Sequence, residues 1–169
     1  MTMNEFDDAY EDKQKLQGAI VTEPISALKP AIAVTVRPTT TVLEAVKIMN
    51  QKKCGCVCVT EGDKLVGIFT ERDVLTKVVE QALDTKKTTV DKVMTRNPET
   101  LMARDKIAFA LNRMHVGGFR HIPLVEKGKL TGIISIRDIA DFVVALFPDG
   151  VLNVPPDPSL GIPTRPDGG

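Results

Sequence analysis

Lys64-Leu65-Val66-Gly67-Ile68-Phe69-Thr70-Glu71-Arg72-Asp73-Val74 recurs 65 positions later as Lys129-Leu130-Thr131-Gly132-Ile133-Ile134-Ser135-Ile136-Arg137-Asp138-Ile139. No gap is needed to align them. Lys64, Leu65, Gly67, Ile68, Arg72 and Asp73 meet their own kind. The same register extends outward in both directions. Thr35 falls on Thr100, Ala45 on Ala110, Met49 on Met114, and Val78-Val79 on Val143-Val144. Identities this dense in one ungapped register mark an internal repeat.

Each copy reads alike. An extended stretch comes first, at 33–36 and again at 99–101. An amphipathic helix follows, with Val42, Ala45, Val46 and Met49 at helical spacing in one copy and Ile107, Ala110, Leu111 and Met114 in the other. Thr40 or Thr41, and Asp105, are candidate helix caps, because a side-chain oxygen there accepts an orphan backbone N–H. Two short apolar strands come next, CVCVT (56–60) with KLVGIF (64–69), then HIPLV (121–125) with KLTGII (129–134). Gly62 and Gly128 lie in the joints, as tight hairpins require. A last helix begins near Thr70 or Ser135. Each unit is thus β-α-β-β-α over roughly 60 residues, a size at which one copy alone is marginal. The predicted fold is α+β / α/β, with two repeats (21–83 and 86–147) packed about a pseudo-twofold axis as one folding unit. An acidic N-terminal segment (1–20) and a Pro/Gly-rich tail (148–169) are expected to be flexible.

Composition narrows the function. The 169 residues carry 22 basic and 22 acidic side chains, so no net field draws nucleic acid or an anionic membrane. Aromatics make up 4%, too few for a base-stacking surface. No stretch reaches the roughly 20 apolar residues of a membrane span. The acidic start resembles neither a signal nor a transit peptide, which points to the cytoplasm. Cys54, Cys56 and Cys58 alternate, so a strand aims them at one face. They read as small apolar strand residues or as a thiolate metal or redox site. The phosphate-loop, dinucleotide-loop and nucleophile-elbow patterns are all missing. His115 and His121 are the two histidines, and no catalytic triad assembles around them. The expectation is a non-enzyme.

The strand-to-helix string Gly-hydrophobic-x-Thr/Ser-x-x-Asp, found at Gly67 to Asp73 and at Gly132 to Asp138, resembles the CBS domain. Two in tandem resemble a CBS pair, or Bateman module. Gly118-Phe119-Arg120-His121-Ile122-Pro123 is similar to the Arg-His-hydrophobic-Pro segment of nucleotide-binding members. The resemblance covers about residues 20–147. It implies a regulatory sensor binding AMP, ADP or ATP, or a related adenosine compound, in two clefts between the repeats. It also implies a flat homodimer and an unidentified regulated partner protein. With no further domain in sight, the chain resembles the stand-alone class.

Within that resemblance the residues take physical roles. Asp73 and Asp138 can grip two ribose hydroxyls, since an ionised carboxylate accepts both; alternatively they only favour a helix start. Thr70 and Ser135 can cap the helix or bond ribose and phosphate. Arg120 offers a charged fork to phosphate, and His121 a further bond. Arg72 and Arg137 either touch phosphate or pair with the adjacent acid. Thr35, Val36, Cys56 and Val57 are the candidates for one adenine slot, and Thr100, Leu101 and Ile122 for the other; Pro123, in the Arg-His-Ile-Pro segment, is a further ligand-binding candidate. The family arrangement pairs Asp138 with the first set and Asp73 with the second. Gly55-Cys56 stands where the second copy has Arg120-His121, so the clefts are expected to differ. The competing readings are a protein-interaction module with vestigial clefts and a thiol-based redox or metal sensor.

Overall fold

The computed structural model describes residues 18–146, with Gln14 alone ahead of them. The Pro/Gly-rich tail, and the acidic start apart from Gln14 and residues 18–20, lie outside the described residues. The first repeat runs β1 (Thr35–Val36), α1 (Val42–Lys52), β2 (Cys56–Glu61), β3 (Lys64–Thr70) and α2 (Glu71–Asp73). A π-helical stretch, Val74–Val79, continues α2. Then come α3 (Val90–Val93) and β4 (Thr95–Arg96). The second repeat runs α4 (Ile107–Gly117), β5 (His121–Glu126), β6 (Lys129–Ser135) and α5 (Ile136–Leu146).

Both hairpins close with two-residue turns. Gly62 takes φ 61 in the first, and Lys127 and Gly128 take φ 50 and 79 in the second. Such left-handed turn conformations match the twist of paired strands. The α1 cap is Thr41: its hydroxyl accepts from Glu44 N while Glu44 returns a bond to Thr41 N at 2.9 Å. The second copy departs from expectation. Lys106 stands where Thr41 stood, and Asp105 bonds Met102 N at 2.7 Å instead of capping α4.

The sheets are completed by exchange, which the repeat pattern did not reveal. β1 pairs parallel with β2, β2 antiparallel with β3, and β3 with β4. Yet β4 belongs to the run leading into the second repeat. Reciprocally, Ala31, leading into the first repeat, bridges Ile133 on β6. The single-turn 3-10 helix Ile25–Leu28 and its counterpart α3 cross over as well. Ile25 is buried in the second core with Ile107, Ile122 and Leu124, and Val90 in the first with Val42, Val57 and Phe69. The bonds match pairwise. Ile25 N reaches Asp105 O at 2.7 Å, and Val90 N reaches Thr40 O at 2.8 Å.

This crossing explains the signature glycines. A Cβ at Gly67 would lie 2.3 Å from Met94 Sδ and 3.1 Å from Thr95 O; one at Gly132 would lie 3.1 Å from Ala31 O. Each glycine lets the other repeat's lead-in segment pass close to the last strand. At the hairpin tips Lys129 Nζ meets Asp63 at 2.8 Å, tying the repeats together again.

Candidate functional site

Each last helix begins where its preceding strand ends, and the signature carboxylate holds that junction. Asp73 Oδ2 accepts from Thr70 N and Thr70 Oγ1, both at 2.8 Å, and Thr70 Oγ1 accepts from Asp73 N. Asp138 does the same with Ser135 N at 2.5 Å and Ser135 Oγ at 2.8 Å. These are reciprocal capping boxes. One carboxylate oxygen of each aspartate is thereby bonded to the start of its helix, and Oδ1 stands outside the capping box. The aspartates then diverge. Lys77 Nζ lies 2.7 Å from Asp73 Oδ1 and 3.1 Å from Thr95 Oγ1. Phe142 stands in the equivalent place beyond Asp138.

Two clefts flank these junctions. The Asp73 cleft encloses about 560 Å³. Thr70, Arg72 and Asp73 form one wall, with Pro98, Glu99, Phe119, Arg120 and His121 of the second repeat opposite. The Asp138 cleft encloses about 700 Å³. Ser135, Arg137 and Asp138 face Val34, Lys52, Lys53, Cys54 and Cys56 of the first repeat. Both volumes suit a ligand of nucleotide size. Each signature carboxylate thus faces the opposite repeat.

The candidate residues divide accordingly. Thr70, Arg72 and Asp73 line one cleft, Cys56, Ser135, Arg137 and Asp138 the other, and Arg120 and His121 both. The remaining candidates line neither. Val36 and Val57 are packed into the first core, and Leu101 and Ile122 into the second. Pro123 is fully buried, while Thr35 and Thr100 are exposed away from the clefts. Strand alternation is the reason. Val57 and Ile122 point toward the helices, whereas Cys56 and His121, one residue earlier, point toward the other repeat.

The apolar surfaces that could take a base come from positions the sequence reading passed over. They are Ile68, Pro98 and Phe119 in the Asp73 cleft, and Ile32, Val34 and Ile133 in the Asp138 cleft. The repeat register held the signal, since Ile68 aligns with Ile133 and Cys54 with Phe119. Glu71 was also missed. It lines both clefts, together with Gly55, Arg120 and His121. A Cβ on Gly55 would sit 3.3 Å from both Glu71 Oε2 and His121 Cε1, so these groups form the partition between the clefts.

Charge at the partition is finely set. Burial holds the His121 imidazole below its ordinary pKa, and the Arg120 cation adds to that; Glu71 and Asp138 pull the other way. Arg72 Nη1 donates to Gly118 O at 2.6 Å, and among the described residues it makes no ion pair with the adjacent acid. Glu99 is clamped by Arg113, whose Nη2 donates to Oε2 at 2.7 Å. Cys56 and Cys58 are buried, and desolvation pushes the Cys58 thiol up to about 12 and the Cys56 thiol higher. Thiols so held supply little thiolate. No group of three His, Cys, Asp or Glu suited to a metal occurs among the described residues. No helix among them is long and apolar enough to cross a membrane.

Residues 19–80 and 90–145 each match the family model for the CBS domain. CBS domain-containing protein CBSCBSPB1 of Arabidopsis thaliana is 37% identical over 117 residues, covering 69% of this chain and 21% of that protein. The chain therefore spans about one fifth of that relative. An uncharacterized 17.7 kDa protein of Acidianus ambivalens is 34% identical, with 69% of this chain and 70% of that one covered. Among solved structures, a CBS-domain containing protein from Agrobacterium tumefaciens superposes with TM-score 0.65 at 34% identity, covering 70% and 94% of the two chains. A CBS domain protein from Pyrobaculum aerophilum, solved in complex with AMP, gives TM-score 0.66 at 26% identity, covering 73% and 98%.

Proposed function

The chain belongs to the CBS-domain family as a tandem pair, and on that premise we propose that it is a regulatory module whose two clefts bind adenine nucleotides. One observation carries this reading: each signature carboxylate, fixed by its capping box, faces a cleft walled by the other repeat. A ligand there touches both repeats at once. It stabilises their closed arrangement and biases whatever surface a partner reads, because a ligand shifts only states that it binds differently. The Pyrobaculum relative's complex with AMP supports an adenosine ligand. AMP, ADP and ATP are the candidates, with ribose on Oδ1 of an aspartate and phosphate toward Arg120 and His121.

We assign the module no catalytic step. A cytoplasmic address and a regulated partner belong to the same proposal, as does a homodimer. Exposed Leu75 and Val79 on the π-helical stretch, with Phe109 and Val116 on α4, support a second copy docking through the helices.

Thermal unfolding against AMP, ADP, ATP, NAD and S-adenosylmethionine tests the reading. A ligand at about 100 times its dissociation constant adds roughly 2.7 kcal/mol. A shift of several degrees with one adenine compound, diminished in Asp73→Ala or Asp138→Ala, is expected. A flat response across the panel sinks nucleotide binding and favours an interaction module with idle clefts.

A further inference from the structure

The repeat register relates the two clefts position by position, so differences at matched positions indicate what each can hold. Lys52 and Lys53 line the Asp138 cleft; the matched positions in the Asp73 cleft are Gly117 and Gly118. Val34 lines the first, and Glu99 takes its place in the second. Arg137 makes no ion pair among the described residues, whereas its counterpart Arg72 is turned onto Gly118 O. Lys53 also holds φ 51, in the left-handed region where the other repeat uses glycine at φ 68.

Arg120 and Glu71 stand on the shared partition and cancel. What remains beside Asp138 is Lys52, Lys53 and Arg137. What remains beside Asp73 and Glu99 is Arg72, with Lys77 and Arg113 already spent on those two acids. Uncommitted cations therefore collect on one side of the partition. A polyphosphate chain needs several such donors at once, since each added phosphate brings further negative charge and acceptor oxygens.

We infer that the Asp138 cleft is the seat of a nucleotide with two or three phosphates, and that the Asp73 cleft takes an adenosine ligand bearing little or no negative charge. This deepens the proposed function and rests on it. The shared Arg120 sharpens the division, because two phosphorylated ligands would have to divide one guanidinium.

Titration calorimetry of the full chain with adenosine, AMP, ADP and ATP, without divalent metal, tests the division. ATP is expected to bind more tightly than AMP by roughly tenfold, and to weaken more steeply with added salt than adenosine does. Asp138→Ala is expected to abolish ATP binding, and Asp73→Ala to leave it in place. The triple variant Lys52→Gln, Lys53→Gly, Arg137→Gln is expected to lose the preference for ATP over AMP while still binding adenosine. Lys53→Gly alone, which installs the residue used by the other repeat, guards against misfolding and should reduce the preference in part. If ATP binds no better than AMP, or the preference survives the triple variant, or Asp73→Ala removes ATP binding while Asp138→Ala spares it, the division is wrong although nucleotide binding stands. If none of the four compounds binds, the proposed function falls and the division with it.

Discussion

Lys77 Nζ sits 2.7 Å from Asp73 Oδ1, on the oxygen that the capping box leaves over. Asp73 is almost wholly buried and Lys77 is about one third exposed, so the pair lies between a surface contact and an interior one. Lys77→Gln is expected to lower stability by about 1 kcal/mol, well below the cost of breaking a fully buried pair. That corresponds to a melting point lower by roughly 2–4 °C for a chain of this size. Raising the salt concentration should narrow the gap. An unchanged melting point would mean that Asp73 is held by Thr70 alone.

His121 gives the module a pH dependence with a definite sign. Its imidazole is held below the ordinary value of 6.5, chiefly by burial, so the unfolded chain takes up the proton first. Stability is therefore fully present above pH 6.5 and declines as pH falls through the lower folded value. Chemical unfolding between pH 7.5 and about 5 should show this slope, and His121→Gln should flatten it. A phosphate placed beside the ring favours the charged imidazolium. Nucleotide binding is then expected to take up a proton, read by calorimetry in buffers of different ionisation enthalpy.

The signature glycines are required by the lead-in segments that pass beside them. Gly67→Ala places its methyl against Met94 Sδ and Thr95 O, and overpacking of this kind costs typically about 1–3 kcal/mol. Gly132→Ala meets Ala31 O alone at short range and should cost less. In the double variant Gly67→Ala, Met94→Ala, the combined loss should be smaller than the two single losses added, because the clash is removed. Strict additivity in denaturant melts would show that Met94 does not oppose the methyl.

Much of the fold was legible in the sequence, and the limits have physical causes. Strands β2, β3, β5 and β6, both long helices of the first half of each repeat, and the hairpin joints follow from local period and turn chemistry. Asp73, Asp138, Arg120 and His121 also came out beside the clefts. What local pattern does not carry is partner choice across the chain. Val90 falls within the second repeat by sequence, yet it is a core residue of the first. Leu101 and Ile122 looked like an adenine slot because they are apolar residues on early strands, yet strand parity turns them inward. Arg72 was open by sequence between phosphate and the adjacent acid, and packing brings it onto Gly118 O.

Cysteine accessibility separates the three thiols. Cys54 is half-buried and lines the Asp138 cleft, while Cys56 and Cys58 are buried. An aromatic disulfide reagent should react with one thiol per chain in the native protein and with all three after unfolding. A nucleotide in the Asp138 cleft should slow the first reaction. Rapid reaction of two or three thiols would revive the thiol-sensor reading.

Fragments provide a last check. Residues 21–83 hold every element of the first repeat but lack Val90, Val93 and Met94, which complete its core. That fragment should show little protected backbone by hydrogen exchange. Residues 30–98, cut along the core and not along the repeat, should retain more, although near the size at which a lone core is marginal.

The crossing of the two lead-in segments also orders events during synthesis. Ala31 is made early, but its bridge is to Ile133, which emerges from the ribosome a hundred residues later. Until then the lead-in segment at 25–31 lacks its partners, and the first sheet waits for Thr95 and Arg96 before its fourth strand exists. The nascent protein therefore closes from its middle outward, and residues 25–31 are among the last to find their seat.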